Sequence, residues 1–223
     1  MSTIPLSAGP MDVLIPGKGA LMIFRINPSN PQKRLIDKAV NILKEGGIIA
    51  YPTDTIYGFG CDMYNKKAIQ RIYQIKKRDP KKPFSFICSD LKNISLYAQV
   101  TNQAYKIMKR CLPGPYTFIL LGTKLVPKIM VTKRKTVGIR VPDNNICLSL
   151  VKTLGNPIIS TSVGFSGGEV FSDSSLIEET FGSQIDLTID GGIPANQPST
   201  IISLIDDQIE VIREGLGEFR QFL

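Results

Sequence analysis

Apolar residues recur at helical spacing in several stretches of the chain, and short runs of consecutive apolar residues lie between them. The clearest helix begins at Pro31 and ends before Gly46, with Leu35, Ala39 and Leu43 on one face. The same spacing predicts further helices at residues 66–75, 101–111, 146–154 and 174–181, the last with Asp173 as its N-cap. The apolar runs predict strands at residues 48–51, 84–88, 116–121, 136–141, 158–161, 186–189, 200–204 and 208–212.

This alternation of helices and strands, with both short and long connections, predicts the α/β class with a twisted, mixed β-sheet. The chain has 223 residues, which is enough for one sizeable core and short of two ordinary domains. We therefore expect a single domain over residues 22–223, with a strand beginning at Met22. Residues 1–21 are rich in Gly, Pro and Ser and show no periodicity, so we interpret them as a loose N-terminal extension.

Several classes of protein are disfavoured by simple counts. No apolar run approaches 18 residues and the N-terminus lacks the usual core of a signal peptide, so we expect a cytoplasmic protein that does not enter the membrane. The four cysteines are far apart, without a C-x-x-C pair, and each lies in an apolar stretch, which is typical of reduced core thiols. We expect no zinc, haem or flavin.

Charge and the absence of histidine narrow the chemistry further. The net charge is +8 and there is no histidine, which excludes a Ser-His-Asp triad, a Cys-His pair and a histidine metal ligand. Residues 63–142 contain 18 basic residues and two acidic ones, a local balance of +16, and the rest of the chain has a balance of −8. Such a field attracts phosphate, in a nucleotide or a nucleic acid, although a solvated surface kept soluble by charge is the alternative interpretation.

Polar clusters interrupt the apolar pattern where strands end. The segment PTDTIYG at residues 52–58 directly follows a strand and brings hydroxyls and a carboxylate to its end, as a binding site or as an ordinary Asx or Thr turn. Lys76 and Arg78 end a helix beside two prolines, either as a capped helix end or as a rigid pair of cations for phosphate. Arg140 lies in an apolar strand and should face a pocket or a partner, because an unpaired buried charge is costly. A Gly- and Ser-rich loop at residues 160–168 can offer backbone amides to an anion.

Taken in order, these segments resemble the YrdC/YciO family of threonylcarbamoyl-AMP synthases. The resemblance spans residues from about 30 to the end and rests on the segments PTDTIYGFG, KKRDPKKPF, PGPYTF, VGIRVP, STSVGFSG, QPSTII and VIREG. It implies a YrdC-like fold with a basic concave surface. It also implies that L-threonine, bicarbonate and ATP give threonylcarbamoyl-AMP and pyrophosphate, or the reverse, with Mg²⁺ bound through the phosphates. The product supplies the threonylcarbamoyl group of adenosine 37 in tRNA. Positioning and charge neutralisation suffice for such a reaction, so it needs no histidine.

The resemblance also implies a role for particular residues. Lys76 and Arg78 would be catalytic, on the phosphates and the carbamate, and Arg213 would reach the phosphates. Thr117 and Ser162 would bind the nucleotide. Three residues would bind threonine: Thr53, Arg140 and Ser199. Asp54 would either pair with one of these cations or shape the turn.

Two departures from the family pattern indicate the YciO-like branch. The family's S-x-N motif reads Ser162-Val163-Gly164, so the nucleotide-binding Asn is replaced by glycine. The strand after the K-x-R motif, which often contains a histidine in the synthases, has none here. A lost amide costs about 1–3 kcal/mol of nucleotide binding, which weakens a site without abolishing it.

Two other classes of function stay open at this point. The basic concavity could bind tRNA, rRNA or double-stranded RNA without catalysis, with Lys133, Arg134 and Lys135 among the contacts. The chain could also be an accessory subunit that binds a small ligand and acts through a protein partner.

Overall fold

The computed structural model describes residues 22–79, 84–130 and 135–219. The predicted extension at residues 1–21 lies outside these ranges, as do Lys133 and Arg134 of the basic run. The described chain contains the helices α1 (Lys33–Lys44), α2 (Lys66–Ile75), α3 (Asn102–Cys111), α4 (Asn145–Leu154) and α5 (Ser174–Phe181). Its strands are β1 (Ile23–Arg25), β2 (Ile49–Tyr51), β3 (Gly58–Asp62), β4 (Ser85–Ile87), β5 (Ala98–Gln99), β6 (Tyr116–Gly122), β7 (Thr136–Arg140), β8 (Ile158–Ser162), β9 (Leu187–Asp190), β10 (Thr200–Ser203) and β11 (Glu210–Arg213).

These strands form a single mixed sheet. Their order is β1-β9-β2-β3-β8-β4-β7-β6-β10-β11, and β5 pairs with β6 off this path. The pairs β1–β9, β2–β9, β4–β7 and β6–β10 are parallel, and the other pairs are antiparallel. The predicted single α/β domain with a twisted, mixed sheet is therefore confirmed.

Each face of the sheet has its own hydrophobic cluster. Helices α1 and α4 contribute to one cluster, and α2, α3 and α5 contribute to the other. Neighbouring residues of β8, Ile158 and Ile159, are both fully buried and belong to opposite clusters, as the alternation of side chains along a strand requires. The four cysteines are free and buried, which confirms their prediction as core thiols.

Helix boundaries follow the local capping chemistry. The Asp173 side chain accepts from the amides of Ser175 and Leu176, so the predicted N-cap of α5 is confirmed. Helix α4 ends at Gly155, which adopts a left-handed conformation with φ 85°. Within the described ranges, no helix is long and apolar enough to cross a membrane.

Strand β3 is the main element that the apolar pattern did not predict. Its sequence contains Gly58 and Gly60, which have low strand propensity and follow a turn signal. The ring of Tyr51 lies across this strand, and a Cβ at Gly60 would come within 2.7 Å of that ring. Glycine is thus required for the packing of β2 against β3. This requirement comes from a contact between two strands, which the strand propensity of single residues does not describe.

Candidate ligand-binding cleft

A cavity of about 300 Å³ opens where the ends of several strands meet. Its walls come from the turn after β2, from strands β4, β6, β7, β8 and β10, and from single residues that follow α2 or lie on β11. Seven of the eight predicted site residues line this cleft: Thr53, Arg78, Thr117, Arg140, Ser162, Ser199 and Arg213. Residues that are up to 160 positions apart in sequence are thus brought into one site.

The turn after β2 holds Arg140 in place. Thr53 Oγ1 accepts from the amides of Thr55 and Ile56 at 3.1 and 3.2 Å, which fixes the turn. Arg140, at the end of β7, donates through Nη2 to the Asp54 carboxylate, to Thr55 Oγ1 at 2.6 Å and to Thr53 Oγ1 at 3.3 Å. The strand arginine and the polar turn are therefore one structural unit.

One donor of Arg140 remains without a partner among the described residues. The residue is only 7% exposed, and its Nε has no acceptor. A buried N–H without an acceptor costs free energy comparable to a lost hydrogen bond, so this donor requires a partner that the described residues do not supply. Because Arg140 lines the cleft, an anion bound there is the natural acceptor for Nε.

The opposite wall is built on the parallel pair of β6 and β10. Thr117 Oγ1 and Ser199 Oγ lie 2.9 Å apart in a hydroxyl pair. Arg213, on β11, donates from Nε and Nη2 to the Ser199 carbonyl at 3.2 and 2.8 Å. Burial lowers the pKa of the Arg213 guanidinium, and the positive charge of Arg140 lowers it further. Both guanidinium groups line the same cleft, so an anion bound there would offset their like charges.

The third cation of the cleft, Arg78, follows α2. The helix ends with Lys77 in the left-handed region at φ 48°, and this turn directs the chain toward the cleft. The Arg78 guanidinium lies 5.5 Å from the ring centre of Phe84, and burial lowers its pKa. The Phe84 ring, directly before β4, thus provides an aromatic platform for Arg78 at the cleft.

Lys76 does not line the cleft, unlike the other seven predicted site residues. It is 2% exposed, and its ammonium donates to the carbonyls of Ser162 and Gly164 at 2.6 and 2.7 Å. Burial, followed by the charge of Arg78, lowers the pKa of Lys76 to about 8. The ammonium therefore faces backbone beneath the cleft wall, and contact with a phosphate stays a prediction.

The cleft also has a floor of hydroxyl groups, and of these Ser160 alone lies in one of the segments that carry the family resemblance. Ser85, Thr136 and Ser160 line it, and Ser160 Oγ accepts from the Tyr51 hydroxyl at 2.7 Å. A Cβ at Gly138 would lie 2.8 Å from Ser85 Oγ, so the glycine in the β7 motif leaves room for this hydroxyl. The signal in the sequence was the presence of hydroxyls in otherwise apolar strands.

The chemistry of the lining selects anions. Among the described lining residues there are three arginines and no aspartate or glutamate. The described residues also contain no group of three or more His, Cys, Asp or Glu side chains that could hold a metal ion. Such a lining suits a ligand with phosphate or carboxylate groups, and a Mg²⁺ ion carried by that ligand would be held through the ligand's oxygens and water.

Fold and cleft together define an α/β protein with a basic, hydroxyl-lined site for anions. The family model Sua5_yciO_yrdC, described as telomere recombination, matches residues 41–215, and the chain belongs to this Sua5/YciO/YrdC family. The chain is 45% identical over 202 residues to YciO of Escherichia coli (strain K12), covering 90% of this chain and 98% of that protein. The crystal structure of E. coli YciO matches with a TM-score of 0.87 at 44% identity, over 92% of this chain and 100% of that one.

Relatives with a named activity lie further away. A protein of Methanocaldococcus jannaschii named putative threonylcarbamoyl-AMP synthase is 35% identical over 199 residues, which cover 88% of this chain and 92% of that protein. The crystal structure of P. abyssi Sua5 complexed with L-threonine matches with a TM-score of 0.82 at 28% identity, over 87% of this chain and 57% of that one. The family thus includes proteins named as synthases, and the resemblance to its YciO branch is confirmed.

Proposed function

We propose that the chain is a threonylcarbamoyl-AMP synthase-like nucleotidyltransferase. It would join L-threonine, bicarbonate and ATP into threonylcarbamoyl-AMP with release of pyrophosphate, or run the reverse reaction, in connection with threonylcarbamoylation of tRNA. The observation that carries this proposal is the unpartnered Nε of buried Arg140 in a cleft with two further arginines. The names of the synthase relatives and the threonine-bound Sua5 structure support the choice of substrates.

The cleft residues suit the two chemical steps. In the first step the amine of threonine attacks bicarbonate, and water leaves as the carbamate forms. In the second step a carbamate oxygen attacks the α-phosphate, and pyrophosphate leaves. Arg140 would bind the threonine carboxylate, with Thr53 and Ser199 around the rest of that substrate, and Arg78 and Arg213 would neutralise charge on the phosphates.

Protein nucleophiles are not needed for this route. Burial raises the pKa of each cysteine thiol, to about 12 for Cys88 and about 11 for Cys111, so the thiolate forms are suppressed near neutral pH. The work left to the protein is to hold three substrates in line and to balance their negative charge. Thr117 and Ser162 would serve this purpose by hydrogen bonding to the nucleotide.

The direct test is pyrophosphate release from ATP, measured with threonine and bicarbonate added separately and together. Release should require both. Arg140→Lys keeps the charge but removes Nε together with the Nη2 bonds to the turn, and should raise the KM for threonine by about tenfold or more. Arg140→Lys with an unchanged threonine KM would contradict the assignment. Release that ignores threonine would contradict the proposed reaction.

A second function is favoured by the charge distribution alone. The +16 balance over residues 63–142 suits binding of tRNA, rRNA or double-stranded RNA without catalysis. In that case affinity should fall steeply with salt, and alanine at Lys133, Arg134 and Lys135 should lower the salt slope by about one for each lost phosphate contact. Of these three, only Lys135 lies within the described residues. RNA affinity that is insensitive to salt would contradict this alternative.

A further inference from the structure

The C-terminal end of α2 holds the loop that follows β8 at three points. Lys76 donates from its ammonium to the carbonyls of Ser162 and Gly164. The Lys76 carbonyl accepts from the amide of Ser166 at 3.0 Å. The Lys77 ammonium lies 5.5 Å from the ring centre of Phe165. Two consecutive lysines therefore contact Ser162, at the end of β8, and residues 164–166 of the loop.

The loop itself, residues 163–171, is shaped by Gly164. This residue has φ +127°, and a Cβ there would lie 2.4 Å from the Glu169 carbonyl oxygen. The loop turns back on itself so that the Phe171 amide reaches the Val163 carbonyl at 3.4 Å. The turn brings Val170 into the wall of the cleft beside Ser162. The position of this loop thus decides the shape of one side of the cleft.

The Lys76 ammonium is held in its position by hydrogen bonds and by burial. Both of its hydrogen bonds are short and go to backbone carbonyls, and the side chain is almost fully buried. Reaching a phosphate in the cleft would break both bonds and take the Lys76 donor away from a buried carbonyl and a partly buried one. Arg78 and Arg213 already line the cleft.

We infer that Lys76 is a positioning residue, whose ammonium fixes the Ser162–Gly164 backbone and so holds the 163–171 loop against the cleft. In this role it acts on ligands through the loop. If the proposed function holds, contact with the phosphates falls to Arg78 and Arg213. The loop-holding role itself rests only on the contacts of the ligand-free protein.

The experiment follows the loop in the absence of any ligand. The chain contains no tryptophan, so Phe165→Trp provides a single emitter in the loop and keeps an aromatic face for Lys77. In this background Lys76→Met and Arg78→Met each remove one cation from the end of α2. Tryptophan emission and amide hydrogen exchange of residues 163–171 are then compared with the parent protein.

Lys76→Met should shift the emission to the red and lower protection of the loop amides by about tenfold or more, because the two carbonyl contacts are lost. Arg78→Met should leave both readouts within about twofold of the parent. A neutral donor, Lys76→Gln, should give an intermediate loss and serves also if Lys76→Met does not fold. Unchanged loop protection in Lys76→Gln and Lys76→Met would overturn the inference.

ATP titration of the same variants separates this inference from the proposed function. Weaker ATP binding by Lys76→Met with an undisturbed ligand-free loop would show that Lys76 is a direct phosphate ligand, against the inference. A disturbed loop in Lys76→Met, together with a parent protein that turns over no ATP, would uphold the inference and sink the proposed reaction.

Discussion

Arg140 and Asp54 form a buried ion pair, with side-chain exposures of 8% and 10%, that joins the end of β7 to the turn after β2. The second carboxylate oxygen of Asp54 accepts from the Asp143 amide at 3.2 Å. Asp54 therefore neutralises Arg140 from the side of the turn, while Nε of the same guanidinium has no acceptor among the described residues. The pair keeps one arginine both charged and partly unsatisfied, which suits an anion site.

Removing the carboxylate charge of this pair should destabilise the protein strongly. Asp54→Asn leaves the Arg140 charge buried without a counter-ion, and we expect a loss of about 3–5 kcal/mol in the free energy of unfolding, measured with urea. Asp37→Asn breaks the Lys33–Asp37 pair, in which the lysine side chain is 86% exposed, and should cost less than about 1 kcal/mol. Equal losses in the two variants would contradict a structural role for the buried pair.

Glycine at position 164 should be required by the loop. Gly164→Asn restores the family's residue, but its Cβ meets the Glu169 carbonyl, so we expect a loss on the order of 2 kcal/mol or more, or a displaced loop. Gly167→Ala is the matched control: φ is +80° and the space is open, so about 1 kcal/mol is expected. Urea unfolding and the Phe165→Trp emission measure both effects. An Asn variant with an unchanged loop and tighter ATP binding would refute this expectation.

We expect Thr200 to hold in place the backbone that follows Arg213. It is fully buried, its hydroxyl donates to the Gly217 carbonyl at 2.5 Å, and it accepts from the Gly215 amide at 3.0 Å. Thr200→Val leaves both backbone groups unpaired, at about 1–3 kcal/mol each, and should weaken ATP binding through movement of Arg213. The control Thr180→Val removes an exposed hydroxyl bond within α5 and should change stability by less than about 0.5 kcal/mol. Similar losses in the two valine variants would argue against this role.

The lowered pKa of Lys76 predicts a pH dependence of stability. The pKa is about 8 in the folded protein against 10.5 in the unfolded chain, so between these values the unfolded chain binds more protons. Stability from this group therefore rises as pH increases through that window, whereas the raised pKa values of buried thiols and tyrosines act in the opposite direction. The difference between parent and Lys76→Met, from urea unfolding at about pH 7.5, 8.5 and 9.5, isolates the lysine. We expect the free energy of unfolding of the parent to increase relative to that of the variant as pH rises. A difference that stays constant with pH would count against burial of the ammonium.

Local patterns predicted the elements of this fold well. All five helices lie within two residues of their expected bounds, because their apolar stripes and caps are local signals. Local patterns do not predict strand β3, because its glycines make room for the ring of Tyr51 on the neighbouring strand β2. The order of the strands also depends on pairing over long separations, such as Gly58 with Ser162, which no local pattern specifies.

The motifs located the cleft but not the direction of every side chain. The resemblance to the family predicted eight site residues, of which seven line the cleft. The polar clusters at strand ends agree with it, because strand ends converge at one edge of a sheet. Arg140 pairs with Asp54, and Lys76 points toward backbone carbonyls. Both arrangements depend on which loop lies opposite each cation. That information exists only once the sheet is assembled.

The position of Arg213 along the chain determines when during synthesis the three arginines of the cleft are all present. This arginine lies on β11, the last strand of the described residues, and within these residues β11 pairs with β10 alone, at the rim of the sheet. A ribosome that makes the protein from its N-terminus completes every other strand before it reaches this residue. A nascent chain can thus assemble most of the sheet while its cleft still lacks one cation. An anion that binds all three arginines would therefore stabilise the chain fully only after Arg213 has been synthesised.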